Sequence, residues 1–289
     1  MESIINIKNL TKSYPNFILD SISMDIPYGE IIGLIGENGA GKTTLINLLL
    51  NKLHPESGEV NIFDLKYDKN EMEIKQNIGF VVDETYFHTC LNPKEINNIM
   101  KHIYKKWSDE TFFSLLEKFN VLKDTAISKM SKGMKKKLML AIALAHNPKL
   151  LILDEITSGL DPVIRDDILM ILQEMIINRK ATIIFSTHIT SDLDKIANRV
   201  AFLHKGKLIF YEPMDRLKQK YRIVECVKND YNKINKDIVI ATYVRNGYYY
   251  TLINSKDITN EINLPAKIPN LDDIMLSYIK GDKNYVRID

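Results

Sequence analysis

The run Gly36-Glu37-Asn38-Gly39-Ala40-Gly41-Lys42-Thr43 constrains this chain more than any other feature in it. Glycines let a backbone curl so that successive N–H groups point inward at an anion. An apolar run, Ile31-Ile32-Gly33-Leu34-Ile35, stands before the loop and reads as a buried strand. After Lys42, the run Thr44-Leu45-Ile46-Asn47-Leu48-Leu49-Leu50 reads as a helix. Strand, glycine loop and helix form the setting that a phosphate-binding loop requires. The helix N-terminus adds its partial positive charge to the site. In such a loop Lys42 reaches the β- and γ-phosphates and Thr43 ligates Mg²⁺, while Glu37, Asn38, Gly39, Ala40, Gly41 and Thr44 complete the cradle.

A second run has the complementary chemistry. Leu150-Leu151-Ile152-Leu153 ends in Asp154-Glu155. Four buried apolar residues followed by two acids place both carboxylates at the C-terminal edge of a strand, where open α/β sheets bind their ligands. Asp154 is the candidate Mg²⁺ ligand. Glu155 is the candidate general base, or positioner, for an attacking water. Ile183-Ile184-Phe185 is a third buried strand, and Pro162 opens a helix between them. Buried strands alternating with helices predict a mainly parallel sheet covered on both faces.

Around this frame the patterning changes twice. From about 92 to 147 it is helical: Ile96, Ile99 and Ile103 fall on one face, as do Phe112, Leu115, Leu116 and Phe119. Beyond Pro213 it becomes β-rich, with Asn246-Gly247 between apolar runs as a strong hairpin signal. A closing helix is expected at 271–279.

Taken together, these motifs resemble the ABC ATPase family over about residues 3–212. Residues 36–43 are similar to its Walker A motif and residues 150–155 to its Walker B. Ser158-Gly159-Leu160-Asp161 is similar to its D-loop, which makes Asp161 a nucleotide-site candidate. His188, in Ser186-Thr187-His188, matches its switch histidine and joins Glu155 as a catalytic candidate. Met130-Ser131-Lys132-Gly133-Met134 falls where the signature motif belongs, 23 residues before Asp154, and offers Ser131 and Gly133 as phosphate contacts. Tyr14 stands where the family places an aromatic that stacks on adenine.

The resemblance implies an α/β fold of the ABC-type P-loop NTPase. Its parts are a mainly parallel core sheet, an antiparallel β subdomain and a helical subdomain. A nucleotide-binding domain over 1–215 is expected, with the helical part at about 84–147, followed by a small α+β accessory domain over 216–289. It also implies ATP hydrolysis with Mg²⁺, head-to-tail pairing with itself or a related ATPase, and a membrane-spanning permease as partner. The surface just after Asp83 is the expected docking face. Tyr86 and Phe87 there could enter that contact or belong to the core.

Three positions depart from the family pattern. Asp83 replaces a glutamine that touches Mg²⁺ and water; it remains a candidate metal ligand and catalytic sensor, although a carboxylate cannot donate a hydrogen bond. Lys132 replaces a glycine and Met134 a glutamine. The cluster Lys135-Lys136-Lys137 reads as a solvated face. The Ser-Lys-Gly-Met variant resembles separate-chain ATPases of bacterial exporters for peptides, antibiotics or similar cargo. A soluble ABC ATPase serving translation, repair or cofactor assembly is the alternative.

Composition supports this picture by exclusion. A net charge of +2 gives no support to nucleic-acid binding. The longest apolar run, at 138–145, has eight residues, whereas a spanning helix needs about 20. No signal peptide is expected at the N-terminus. Cys90 and Cys226 read as free thiols. The expected location is the cytoplasm, peripheral to the inner face of the membrane.

Overall fold

The structure, a computed structural model, describes residues 3–82, 86–177, 181–257 and 264–281. Its centre is a six-stranded sheet in the spatial order Ile78–Val81, Leu150–Asp154, Thr182–Ser186, Ile31–Ile35, Arg199–His204, Lys207–Pro213. The first five strands run parallel and the last is antiparallel. Central strands are apolar on both faces because both faces are covered. Within them alternate residues divide cleanly. Ile32, Leu34, Leu150, Ile152 and Ile184 join one core, whereas Ile31, Ile35, Leu151, Leu153, Ile183 and Phe185 join the other. Each of these side chains is nearly inaccessible, and burial of one such side chain contributes about 2 kcal/mol.

One core is shared with a three-stranded antiparallel sheet, Ser3–Tyr14, Phe17–Pro27 and Ser57–Ile62, and with the helix Lys42–Leu49. The other core takes in the helical region and, on the same face, part of the C-terminal segment. Ile96, Met100, Phe112, Leu116 and Phe119 belong to it, and so do Tyr221, Leu252, Leu271 and Ile274. The C-terminal segment therefore shares much of its core with the nucleotide-binding part. Its small cluster of Val224, Cys226, Ile234 and Ile253 lies on the far side of a four-stranded sheet. That sheet contains the expected hairpin, with Asn246 and Gly247 at φ +52° and +80°, as a primed two-residue turn requires.

Two periodicity readings change. In the helix Pro93–Ile103 the buried face is Pro93, Ile96, Asn97 and Met100, whereas Ile99 and Ile103 are 40% and 51% exposed. Leucine- and isoleucine-rich periodicity marks an apolar stripe, but here the stripe is wider than the surface that covers it. The lysine cluster is not a solvated face either. Lys136 and Lys137, in the helix Lys132–Leu144, are buried to 6% and 8% exposure.

Candidate functional site

Parallel register brings the chemistry together. Leu34 pairs with Ser186, and Asp154 pairs with Ser186 from the other side. The glycine loop, the Asp154-Glu155 pair and His188 thus leave the same edge of three adjacent strands. Glu155 and His188 line, with Tyr14 and Thr44, a cavity of about 1070 Å³ that is also lined by Gly36, Glu37, Asn38, Gly39, Gly41, Lys42 and Thr43, and Asp154 reaches Thr43 at its edge.

The loop has no room for other residues at its first position. A Cβ on Gly36 would stand 2.4 Å from the Leu203 carbonyl oxygen and 2.9 Å from the Ala40 Cβ. Ala40 itself is buried beneath the loop, and its carbonyl accepts from Gly206 N–H. Gly41, at φ +108°, precedes the helix, and Phe17 packs against it. Lys42 donates to the carbonyls of Gly36 (2.8 Å) and Glu37 (3.1 Å), so its ammonium group lies inside the loop. Burial pulls its pKa below the ordinary lysine value; the carboxylates of Glu155, Asp154 and Glu37 oppose that shift. Further negative charge in the loop would favour the protonated form.

Thr43 Oγ1 lies 3.3 Å from Asp154 Oδ2 as its donor. Asp154 Oδ1 and Ser186 Oγ, on register partners, are buried without a protein hydrogen bond. Buried polar atoms ordinarily have partners, so oxygens left over beside a phosphate loop fit a hard cation. Among the described residues no group of three or more His, Cys, Asp or Glu side chains could hold a metal. A hydroxyl and one carboxylate suit Mg²⁺, which takes few protein ligands and completes its shell with phosphates and water.

Glu155 has φ +52°, a left-handed conformation uncommon for glutamate. It is held there from both ends. Its N–H donates to Ser186 O (3.0 Å), and its carbonyl accepts from Ser158 N–H (3.1 Å) and from the Lys136 ammonium. Its side chain meets His188: Nδ1 is 2.6 Å from Glu155 Oε2, where the ring N–H donates to the carboxylate. His188 is half exposed.

Other candidates lie elsewhere. Ser131, Gly133 and Asp161 are outside this cavity. Ser131 caps the helix Lys132–Leu144, accepting from Met134 N–H at 3.2 Å, and Asp161 caps the helix Pro162–Ile177 through Val163 and Ile164. Gly133 packs where a Cβ would reach Ile164. Asp83 lies outside the described residues. His146 is a core histidine, its Nε2–H donating to Ile78 O. His204 approaches Glu37 at 3.2 Å, beside the loop. The cavity also includes Ser158, the first residue of the D-loop-like run, and Asn16, Phe17 and Met275, which sequence reasoning did not single out. Asn16 and Phe17 follow from the hairpin that pairs Tyr14 with Phe17; Met275 has no sequence signal.

Comparison with known proteins agrees with this geometry. The family described as "ABC transporter" matches residues 19–158. The chain is 37% identical over 240 residues to the bacitracin transport ATP-binding protein BcrA of Bacillus licheniformis, covering 81% of this chain and 78% of that one. It is 30% identical over 255 residues to the ABC transporter ATP-binding protein YtrB of Bacillus subtilis, covering 88% and 87%. A solved ATP-binding subunit of an ABC transporter superposes with a TM-score of 0.69 at 24% identity, over 75% of this chain and 92% of that one. The chain belongs to the ABC transporter ATP-binding proteins, the ATP-binding and ATP-hydrolysing subunits that power transport.

Proposed function

We propose that this protein drives a bacterial exporter of peptide antibiotics or chemically similar cargo, binding ATP in the cavity above the parallel strands. The observation that carries the reading is the convergence of Lys42, Thr43, Glu155 and His188 on one cavity, with Asp154 bonded to Thr43 at its edge. The cargo class rests on likeness to a bacitracin transport protein.

In this reading the N–H groups of residues 37–44 cradle the phosphates and Tyr14 stacks on the adenine. Lys42 leaves the loop carbonyls for the β- and γ-phosphates. Thr43 and Asp154 would hold Mg²⁺, and the family resemblance adds Asp83 as a further candidate ligand. A bound Mg²⁺ offsets phosphate charge and orients the γ-phosphoryl group. Glu155 takes the proton of the attacking water, or orients it, and His188 contacts the γ-phosphate. Its present bond to Glu155 is then exchanged for one to phosphate.

Ser131, Gly133 and Asp161 lie outside the cavity of their own chain, and this supports their use across a head-to-tail dimer with this chain or a related one. ATP is then shared by two subunits, and its hydrolysis loosens them. No helix of the described residues is long and apolar enough to cross a membrane. In this reading a membrane-spanning permease is a separate partner chain, and this one works at its cytoplasmic side. Tyr86 is half exposed and held by Lys52 (2.8 Å), while Phe87 packs inward. Tyr86, with exposed Ile99 and Ile103, is the docking candidate.

Two experiments test this. Glu155→Gln should abolish turnover and accumulate an ATP-bound dimer on size exclusion; turnover at the wild-type rate removes Glu155 from its role. Gentle solubilisation of native membranes should recover the tagged chain with a polytopic partner. Recovery only with ribosomes or assembly proteins would overturn the export reading.

A further inference from the structure

The C-terminal helix Leu271–Lys280 lies more than two hundred residues from the phosphate loop in sequence, yet Met275 lines the cavity that holds Lys42, Glu155 and His188. The first turn of that helix also reaches the segment carrying the switch histidine. Thr190, two residues past His188 and 4% exposed, donates from Oγ1 to Asp272 Oδ1 at 2.7 Å. Charged acceptors make the stronger hydrogen bonds, and such a bond fixes direction as well as distance.

Both partners are themselves fixed. Asn270 and Asp273 form a reciprocal cap on the C-terminal helix. Leu271, Ile274 and Ser277 are buried, and Tyr278 packs against Phe202 and Phe210 of the central sheet and meets Tyr221 at 3.1 Å. On the other side, Arg165 grips fully buried Asp192 and donates to Ser191 (2.8 Å). The turn after His188 is thus clamped twice: once by the helix that Asp161 caps, and once by the C-terminal helix.

We infer that Asp272 and Thr190 are positioning residues for His188, and that the C-terminal helix thereby sets where the imidazole stands relative to Glu155. The inference rests on the reading that His188 acts in hydrolysis. It gives the C-terminal segment a definite part in ATP turnover. Without the Thr190–Asp272 bond the segment after the strand Thr182–Ser186 relaxes, and the imidazole spends less time in its productive place.

The test uses the full chain and steady-state ATPase kinetics. Asp272→Asn and Thr190→Val should each lower kcat about five- to tenfold, with KM for ATP within about twofold, since nucleotide contacts are untouched. Thr190→Ser, which keeps the hydroxyl, should restore turnover; a packing role would not distinguish serine from valine in that direction. In a His188→Ala background, Asp272→Asn should have no further effect on the residual single-turnover rate. Wild-type kcat in both Asp272→Asn and Thr190→Val overturns the inference, as does an equal fold-loss persisting in His188→Ala. Full turnover by His188→Ala alone would instead remove the role of His188, a result separable from the others.

Discussion

The ammonium group of Lys136 donates to two main-chain carbonyls, those of Glu155 and, at 3.2 Å, Ser158. The helix that begins at the signature motif therefore reaches under the turn that joins the catalytic strand to the D-loop. One side chain ties the backbone of Glu155, in its left-handed conformation, to the helix Lys132–Leu144.

Lys136→Met keeps the apolar stem and removes the donor. Two carbonyls lose a charged partner, which costs about 1–3 kcal/mol. The unfolding midpoint should fall by several degrees. Turnover should fall about tenfold, because the Glu155 carboxylate moves with its backbone. Calorimetry and steady-state ATPase measurements check both. Lowered stability with unchanged kcat would make Lys136 a fold residue alone.

This contact was not legible in the sequence. Three consecutive lysines resemble a solvated face because an ammonium group is seldom buried. What makes burial tolerable here is a cluster of carbonyls from residues 155 and 158, and a separate ion pair from Lys137 to Asp167 at 3.1 Å. Those partners come from elements about twenty to thirty residues away, and no local pattern announces them. The glycine loop, by contrast, was legible as the link between a buried strand and a helix. Its chemistry is carried by backbone geometry that only glycine permits, and the flanking strand and helix follow from local patterning.

Gly36→Ala tests that geometry. The new Cβ would meet the backbone of Leu203, which cannot rotate away as a flexible side chain can. The loop must shift by a good fraction of an ångström, and displaced phosphate contacts are costly. ATP affinity should drop at least about tenfold, while the unfolding midpoint stays within a few degrees. Fluorescent-nucleotide titration reads the first and thermal melting the second. Wild-type affinity would show that the loop accommodates the methyl group elsewhere.

The pairing of Thr43 with Asp154 leads to a cation prediction. Asp154→Asn keeps shape and removes the charge beside two orphaned oxygens. The Mg²⁺ concentration needed for half-maximal turnover should rise at least about tenfold, because a single carboxylate supplies most of the charge that this side of the site offers the ion. Titrating MgCl₂ at fixed ATP measures it. An unchanged requirement would place the ion on other ligands.

The face of the helix Pro93–Ile103 was only half legible for a related reason. Periodicity identifies an apolar stripe but not which part of it finds a cover, and Ile99 and Ile103 remain at the surface. Met275 was beyond reach altogether. Its place at the nucleotide cavity depends on how the C-terminal segment folds back across the sheet, a long-range arrangement with no signature in the chain itself.

His146 supplies a pH dependence that can be isolated. It stacks on Tyr104 at 3.8 Å, donates to Ile78 O, and is almost fully buried. Burial disfavours its charged form and lowers its pKa to about 4 from an ordinary value of 6.5. The unfolded chain therefore binds a proton that the folded chain refuses between those two values. The stabilising contribution is complete above about pH 6.5 and is lost as pH falls toward 4, at up to about 1.4 kcal/mol per pH unit. Between pH 7 and pH 5 the wild type should lose about 2 kcal/mol more unfolding free energy than His146→Gln, whose side chain does not titrate. Urea denaturation at the two pH values gives the difference, and other titrating groups cancel in it. Equal losses in both proteins would mean that His146 accepts its proton without leaving the core.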